Sequence, residues 1–147
     1  MNQKEMLCEE AVKRFRQGYN CAQSVLLTMF RHWKGKSRLI PRIATGFGGG
    51  IGRCGSVCGA LAGGVMAIGV KHGIDNPSPE ERLKCYELSK KLYEEFENKH
   101  ESVFCKHLIG YDLSNPDDLG KARSAKVFEE KCPTFIETVM ETLLDIT

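Results

Sequence analysis

Between Val57 and Gly73 the chain reads VCGALAGGVMAIGVKHG, an uncharged run of small and apolar residues that meets its first charge at Lys71. Its length and dense apolar content predict a helix from about Ser56 that closes at Gly73. The uncharged stretch between Arg53 and Lys71 falls short of the roughly 20 residues of a membrane span, so it is expected to be a buried core helix. Glycine costs about 1 kcal/mol relative to alanine in a helix interior, so Gly59, Gly63, Gly64 and Gly69 need a compensating gain. Gly59 and Gly63 stand one turn apart, which lets another helix, or a ligand or cofactor, approach the backbone closely.

Upstream, Lys34 to Gly55 reads KGKSRLIPRIATGFGGGIGRCG, which glycine and proline reduce to loop and short turns. Within it, Gly50-Ile51-Gly52-Arg53-Cys54-Gly55 matches GxGxxG, and Asp75 follows at the spacing of about 20 residues found in dinucleotide fingerprints. No clear strand precedes the motif and Pro41 interrupts the one candidate, so a Rossmann unit is not expected. The loop reads instead as a flexible approach to the helix beginning near Cys58, with backbone N–H groups available to a sulfur.

Further out, Asn2 to about Gln17 reads as an amphipathic helix stopped by Gly18, and Asn20 is a good N-cap for a second helix through Val25, Leu26, Met29 and Phe30. Downstream, Ser78-Pro79-Glu80-Glu81 predicts an N-cap and capping box for a long helix to about His100, burying Leu83, Tyr86, Leu88, Leu92, Tyr93 and Phe96. A short helix is expected over Val103 to Ile109, a turn at Asn115-Pro116 and a short helix over residues 121 to 130. Cys132-Pro133 should open the last helix, with Phe135, Ile136, Val139, Met140, Leu143 and Leu144 buried. β-type alternation is absent. The expected architecture is an all-α, compact bundle of about five to seven helices, with the Gly-rich loop leading into the central small-residue helix. Residues 1–147 are expected to form a single domain.

Lys and Arg number 21 against 19 Asp and Glu, a net charge of +2, with the basic residues dispersed. No strong field points to nucleic acid or an anionic membrane. The N-terminal stretch MNQKEMLCEEAVKRFRQGYN is charged throughout and lacks the apolar core of a signal peptide, which implies a cytoplasmic location. In that compartment seven cysteines point to metal or redox chemistry more than to stable disulfides.

Cys21, Cys58, Cys105 and Cys132 each fall at or near an expected helix N-terminus, where a thiol is biased toward the thiolate that attacks disulfides or binds metals. No CxxC occurs. Cys54 and Cys58 form a looser C-x3-C, while Cys8 and Cys85 lie mid-helix and read as small buried hydrophobes. His107 stands two residues after Cys105, within reach of a metal site, but reads more simply as a surface or capping histidine. His32, His72 and His100 sit at expected helix ends.

These cysteines carry a resemblance. Asn20-Cys21-Ala22-Gln23, Cys58-Gly59-Ala60-Leu61-Ala62-Gly63, Cys105-Lys106-His107-Leu108-Ile109-Gly110 and Lys131-Cys132-Pro133 resemble the C_GCAxxG_C_C family of redox-active proteins over essentially the whole chain. The central tract runs Cys-Gly-Ala-x-x-Gly, the first two residues in reverse order from the family label. The resemblance implies that Cys21, Cys58, Cys105 and Cys132 are the functional set and leaves Cys8, Cys54 and Cys85 outside it. Some split-Soret cytochromes, associated with an iron centre, look similar, but this chain lacks the CxxCH that attaches a c-type haem.

Three functions remain open at this level. The four cysteines form the catalytic centre of a thiol-based oxidoreductase or electron carrier with an unidentified redox partner; or they are metal ligands, holding an iron–sulfur cluster or zinc; or the chain is a non-catalytic helical interaction module, dimerising through the small-residue helix.

Overall fold

The computed structural model describes residues 1–147, and its regular elements are all helical. In order they are α1 (Gln3–Arg16), α2 (Cys21–His32), a 3-10 turn (Arg42–Phe47), α3 (Gly59–His72), α4 (Arg82–His100), α5 (Cys105–Ile109), α6 (Pro116–Ser124) and α7 (Val127–Ile146). The all-α reading and the helix count hold.

Caps set the first two helices. The Asn2 and Asn20 side chains each accept from the backbone N–H three residues on, and Glu5 and Gln23 reach back to the cap N–H groups. These reciprocal bonds satisfy donors that the first turn would otherwise leave free. Buried Arg14 of α1 then donates to Thr28 Oγ1 of α2 at 2.7 Å and pairs with Glu10 at 2.7 Å, locking the two helices side by side.

At the centre lies α3, packed on α2, α4 and α7. Its glycines make that packing close. A Cβ on Gly63 would overlap the Ala22 carbonyl and stand 3.0 Å from the Ala22 Cα; one on Gly64 would stand 2.6 Å from Val139 and 2.8 Å from Leu92. The backbone approach expected at Gly59 and Gly63 is made by α2 of the same chain.

Several expectations for α4, α6 and α7 are corrected. Ser78 does accept from the Glu81 N–H at 3.1 Å, but residues 79–81 form a turn and α4 begins at Arg82. Along α4 only Leu88, Leu92 and Phe96 are buried, one stripe at a spacing of four facing α3 and α7, while Leu83, Tyr86 and Tyr93 lie exposed. At the C-terminal end α6 occupies Pro116–Ser124, and α7 starts at Val127 after Lys126 adopts φ +54°. Pro133 consequently lies inside α7, and Cys132 lies in its second turn instead of at its cap. Burial of Val127 fixes the earlier start against the usual preference for proline in a first turn. The expected buried face of α7 is otherwise observed, with Phe135, Ile136, Val139, Met140 and Leu143 buried and Leu144 at its margin.

Candidate functional site

Four segments bring the four cysteines together. Cys21 is the first residue of α2, placed by the Asn20 cap. Asn20 Nδ2 also donates to the Thr45 carbonyl at 2.9 Å and Gln23 Nε2 to Thr45 Oγ1 at 3.0 Å, tying the start of α2 to the 3-10 turn. Cys58 caps α3 and Cys105 opens α5. The segments before these helices pair through an antiparallel bridge at Val57 and Phe104, with the Cys58 N–H donating to the Val103 carbonyl at 2.8 Å and the Cys105 N–H to the Ser56 carbonyl at 2.7 Å. That pairing sets residues far apart in sequence side by side. Cys132 reaches the same place from α7.

All four line one small gap of about 10 Å³, together with Gly59, Leu108, Ile109 and Phe135. A gap of that size is at the lower limit for a single water, and its walls are apolar. Cys8, Cys54 and Cys85 do not line it. Gly59 serves this site directly: its missing Cβ would lie 2.7 Å from Cys21 Sγ and 2.9 Å from the Phe47 carbonyl oxygen.

The glycine loop forms the outer wall. Gly49, Gly50, Ile51, Gly52 and Arg53 all have φ between +52° and +69°, a left-handed turn closed by the Arg53 N–H on the Gly48 carbonyl at 3.2 Å and the Ser56 N–H on the Gly50 carbonyl at 2.9 Å. Such a run disfavours side chains with a Cβ, and Ile51 is β-branched as well. At Gly50 a side chain would also strike the Ser56 backbone at 2.6 Å and Cys105 Cβ at 2.8 Å. The GxGxxG segment thus packs on a cysteine, with no strand before it and no dinucleotide-binding unit around it.

The thiolate bias expected of helix starts is overturned. Burial raises the pKa of all four thiols, that of Cys105 to about 11. At Cys21 burial outweighs the backbone N–H groups of Cys21, Ala22, Ala60 and Gly49, which pull the other way. Two helix starts and the glycine loop therefore do direct donors at this sulfur, as their geometry implies, but desolvation wins. For Cys58, Cys105 and Cys132 the neighbouring cysteines add to the rise, because a second negative sulfur nearby disfavours the first. The centre is one of protonated thiols at neutral pH.

A tetrahedral zinc site needs its sulfurs about 2.3 Å from a common centre; as placed, no group of three or more His, Cys, Asp or Glu side chains is arranged to hold one ion. His107 is exposed, beside Phe104 and 3.5 Å from Ser102 Oγ, and outside the cysteine gap. Cys8 is buried in the core beside α7, Cys85 is half-buried on α4 and Cys54 is exposed on the glycine loop.

Cys21, Cys105 and Cys132 also border a second, open cavity of about 560 Å³ on the outer side. Cys105 is half-buried and borders both spaces. Sequence reasoning missed this outer cavity, because its walls come from α1, the glycine loop and α6, joined only by the fold. No helix is long and apolar enough to cross a membrane.

Compared with known proteins, residues 19–146 match the family model described as "Putative redox-active protein (C_GCAxxG_C_C)". No curated protein and no solved structure matches the chain.

Proposed function

The chain belongs to the C_GCAxxG_C_C redox-active family, and on that premise we propose that Cys21, Cys58, Cys105 and Cys132 form a dithiol–disulfide centre that exchanges electron pairs with an external partner. One observation carries the reading: these four of the seven cysteines, and no others, line a single small gap. In the exchange, the Cys105 thiol loses its proton to solvent and attacks a sulfur of the partner's disulfide. The S–S bond breaks, one half leaves as thiolate with the bonding pair, and a mixed disulfide remains. A second thiol of the set then attacks the Cys105 sulfur and expels the other half. Two protein thiols are oxidised to a disulfide and the partner's disulfide is reduced to two thiols, the two protons given up by the protein thiols being taken up by the two departing thiolates. Cys21, Cys105 and Cys132 border both the open cavity and the gap, and Cys105 is assigned the first attack because its thiol is the least desolvated of the three; Cys58 is given a resolving or reserve role because it borders the gap alone.

The raised thiol pKa values argue against a strongly oxidising couple. Strong dithiol oxidants owe their high potential to a stabilised thiolate in the reduced form, and here burial disfavours the thiolate. The test is a redox titration of the purified protein in defined thiol/disulfide buffers, read by free-thiol count. A two-electron couple nearer about −270 mV than about −120 mV supports the reading; thiols that never oxidise reversibly refute it. The same convergence of sulfurs motivates the metal or cluster reading. Anaerobic purification with iron, zinc and sulfide analysis separates the two, since near-stoichiometric metal with protected thiols favours the metal.

A further inference from the structure

The outer cavity has a chemistry of its own. Arg53 and Arg123 stand on its lining, no aspartate or glutamate does, and neither arginine takes part in any of the chain's salt bridges. Its neutral polar side chains are already engaged: Asn20 bonds to Thr45 and Gln23, and Thr45 Oγ1 donates to the Arg42 carbonyl. The Gly48 N–H, on the same wall, makes no backbone hydrogen bond. The free groups are therefore cations and a backbone donor. Around them Phe15, Leu119 and Phe128 supply apolar surface, and Cys21, Cys105 and Cys132 complete the lining. A volume of about 560 Å³ is that of a small-molecule pocket.

We infer that this cavity binds a small organic disulfide carrying carboxylates, its anionic groups on Arg53 and Arg123 and its sulfurs delivered to Cys105. The inference rests on the dithiol–disulfide reading and names its substrate class. Unpaired arginines beside apolar walls recognise carboxylates through charge-assisted, bidentate bonds, while the apolar walls take the ligand's body. The step is the exchange already written: the ligand's S–S bond breaks, two protein thiols are oxidised to a disulfide, and the ligand leaves as two thiols.

Two aromatic disulfides of similar size test the charge requirement: dithiobis(2-nitrobenzoate), a dianion, and dithiodipyridine, which is neutral. Their rates with reduced protein are compared in the wild type, in Arg53→Gln/Arg123→Gln, and in Arg38→Gln, an exposed arginine outside the cavity. The double variant should slow the dianion about tenfold or more, as added salt should in the wild type, and leave the neutral disulfide and the Arg38 variant unchanged. Equal slowing of both disulfides, or no slowing of the dianion, overturns the inference. Thiodibenzoate, a dianionic thioether that cannot exchange, reads the pocket without the chemistry. Saturable calorimetric binding that the double variant loses supports the pocket even if both disulfides leave the thiols untouched, a result that would refute the redox reading alone. No binding to the wild type overturns the pocket.

Discussion

Gly59 lies beneath the sulfur of Cys21, so close that a Cβ on the glycine would stand 2.7 Å from Sγ. The CGAxxG tract thus couples two helices and two cysteines at once: Cys58 caps α3, Gly59 admits the Cys21 sulfur, and Gly63, one turn on, admits the α2 backbone. At Gly59, Gly63 and Gly64 the cost in helix propensity is offset by a contact that no larger residue permits, whereas Gly69 makes none.

Replacing Gly59 by alanine should therefore destabilise the protein by about 1–3 kcal/mol through overpacking. Gly69→Ala is the matched control, because nothing lies within 4 Å of the added methyl on the same helix. It should be neutral or stabilise by up to about 1 kcal/mol. Denaturant unfolding of both variants under reducing conditions measures the contrast.

In the glycine loop Ile51 holds φ +66° and is largely exposed, so it bears left-handed strain with few contacts in return. Ile51→Gly should raise stability by about 1 kcal/mol, read as an increase in the denaturation midpoint. Gly50→Ala should do the reverse, since its methyl would meet the Ser56 backbone and Cys105 Cβ as well.

The Cys105 thiol titrates at about 11 in the folded chain against an ordinary 9.0. Between those values the folded state keeps a proton that the unfolded state gives up. The stability this contributes is complete below pH about 9 and is lost as pH rises toward about 11. Comparing wild type with Cys105→Ser by urea unfolding across that window should show the wild-type advantage shrinking. Alkylation of Cys105 should likewise accelerate through the same range, because the thiolate is the reactive form.

Thr28→Val removes the hydroxyl that accepts from the buried Arg14 guanidinium. The charge would keep only its Glu10 partner, and a loss of about 1–3 kcal/mol is expected from the unmet donor. Thermal unfolding checks it.

Much of this architecture was legible because it rests on local chemistry. Asn20 announced the start of α2, and the uncharged run after Arg53 announced the central helix. Cys132 misled because proline prefers a first turn, a local preference that the burial of Val127 overrode by starting α7 earlier. Leu83, Tyr86 and Tyr93 misled because a helical period does not tell how wide a face its neighbours cover. The thiols' protonation was misread for a related reason: a helix start is visible in sequence, whereas the burial that outweighs it belongs to the assembled fold. The outer cavity, with Arg53 and Arg123 brought together across some seventy residues of chain, has no local signal at all.

The central claim is that four specific cysteines act as one exchangeable set. Mild oxidation of the reduced protein followed by disulfide mapping by mass spectrometry tests it most directly. The expected result is reductant-reversible disulfides formed only among Cys21, Cys58, Cys105 and Cys132, with Cys8, Cys54 and Cys85 still free; bonds that recruit any of those three, or no reversible bond at all, would contradict it.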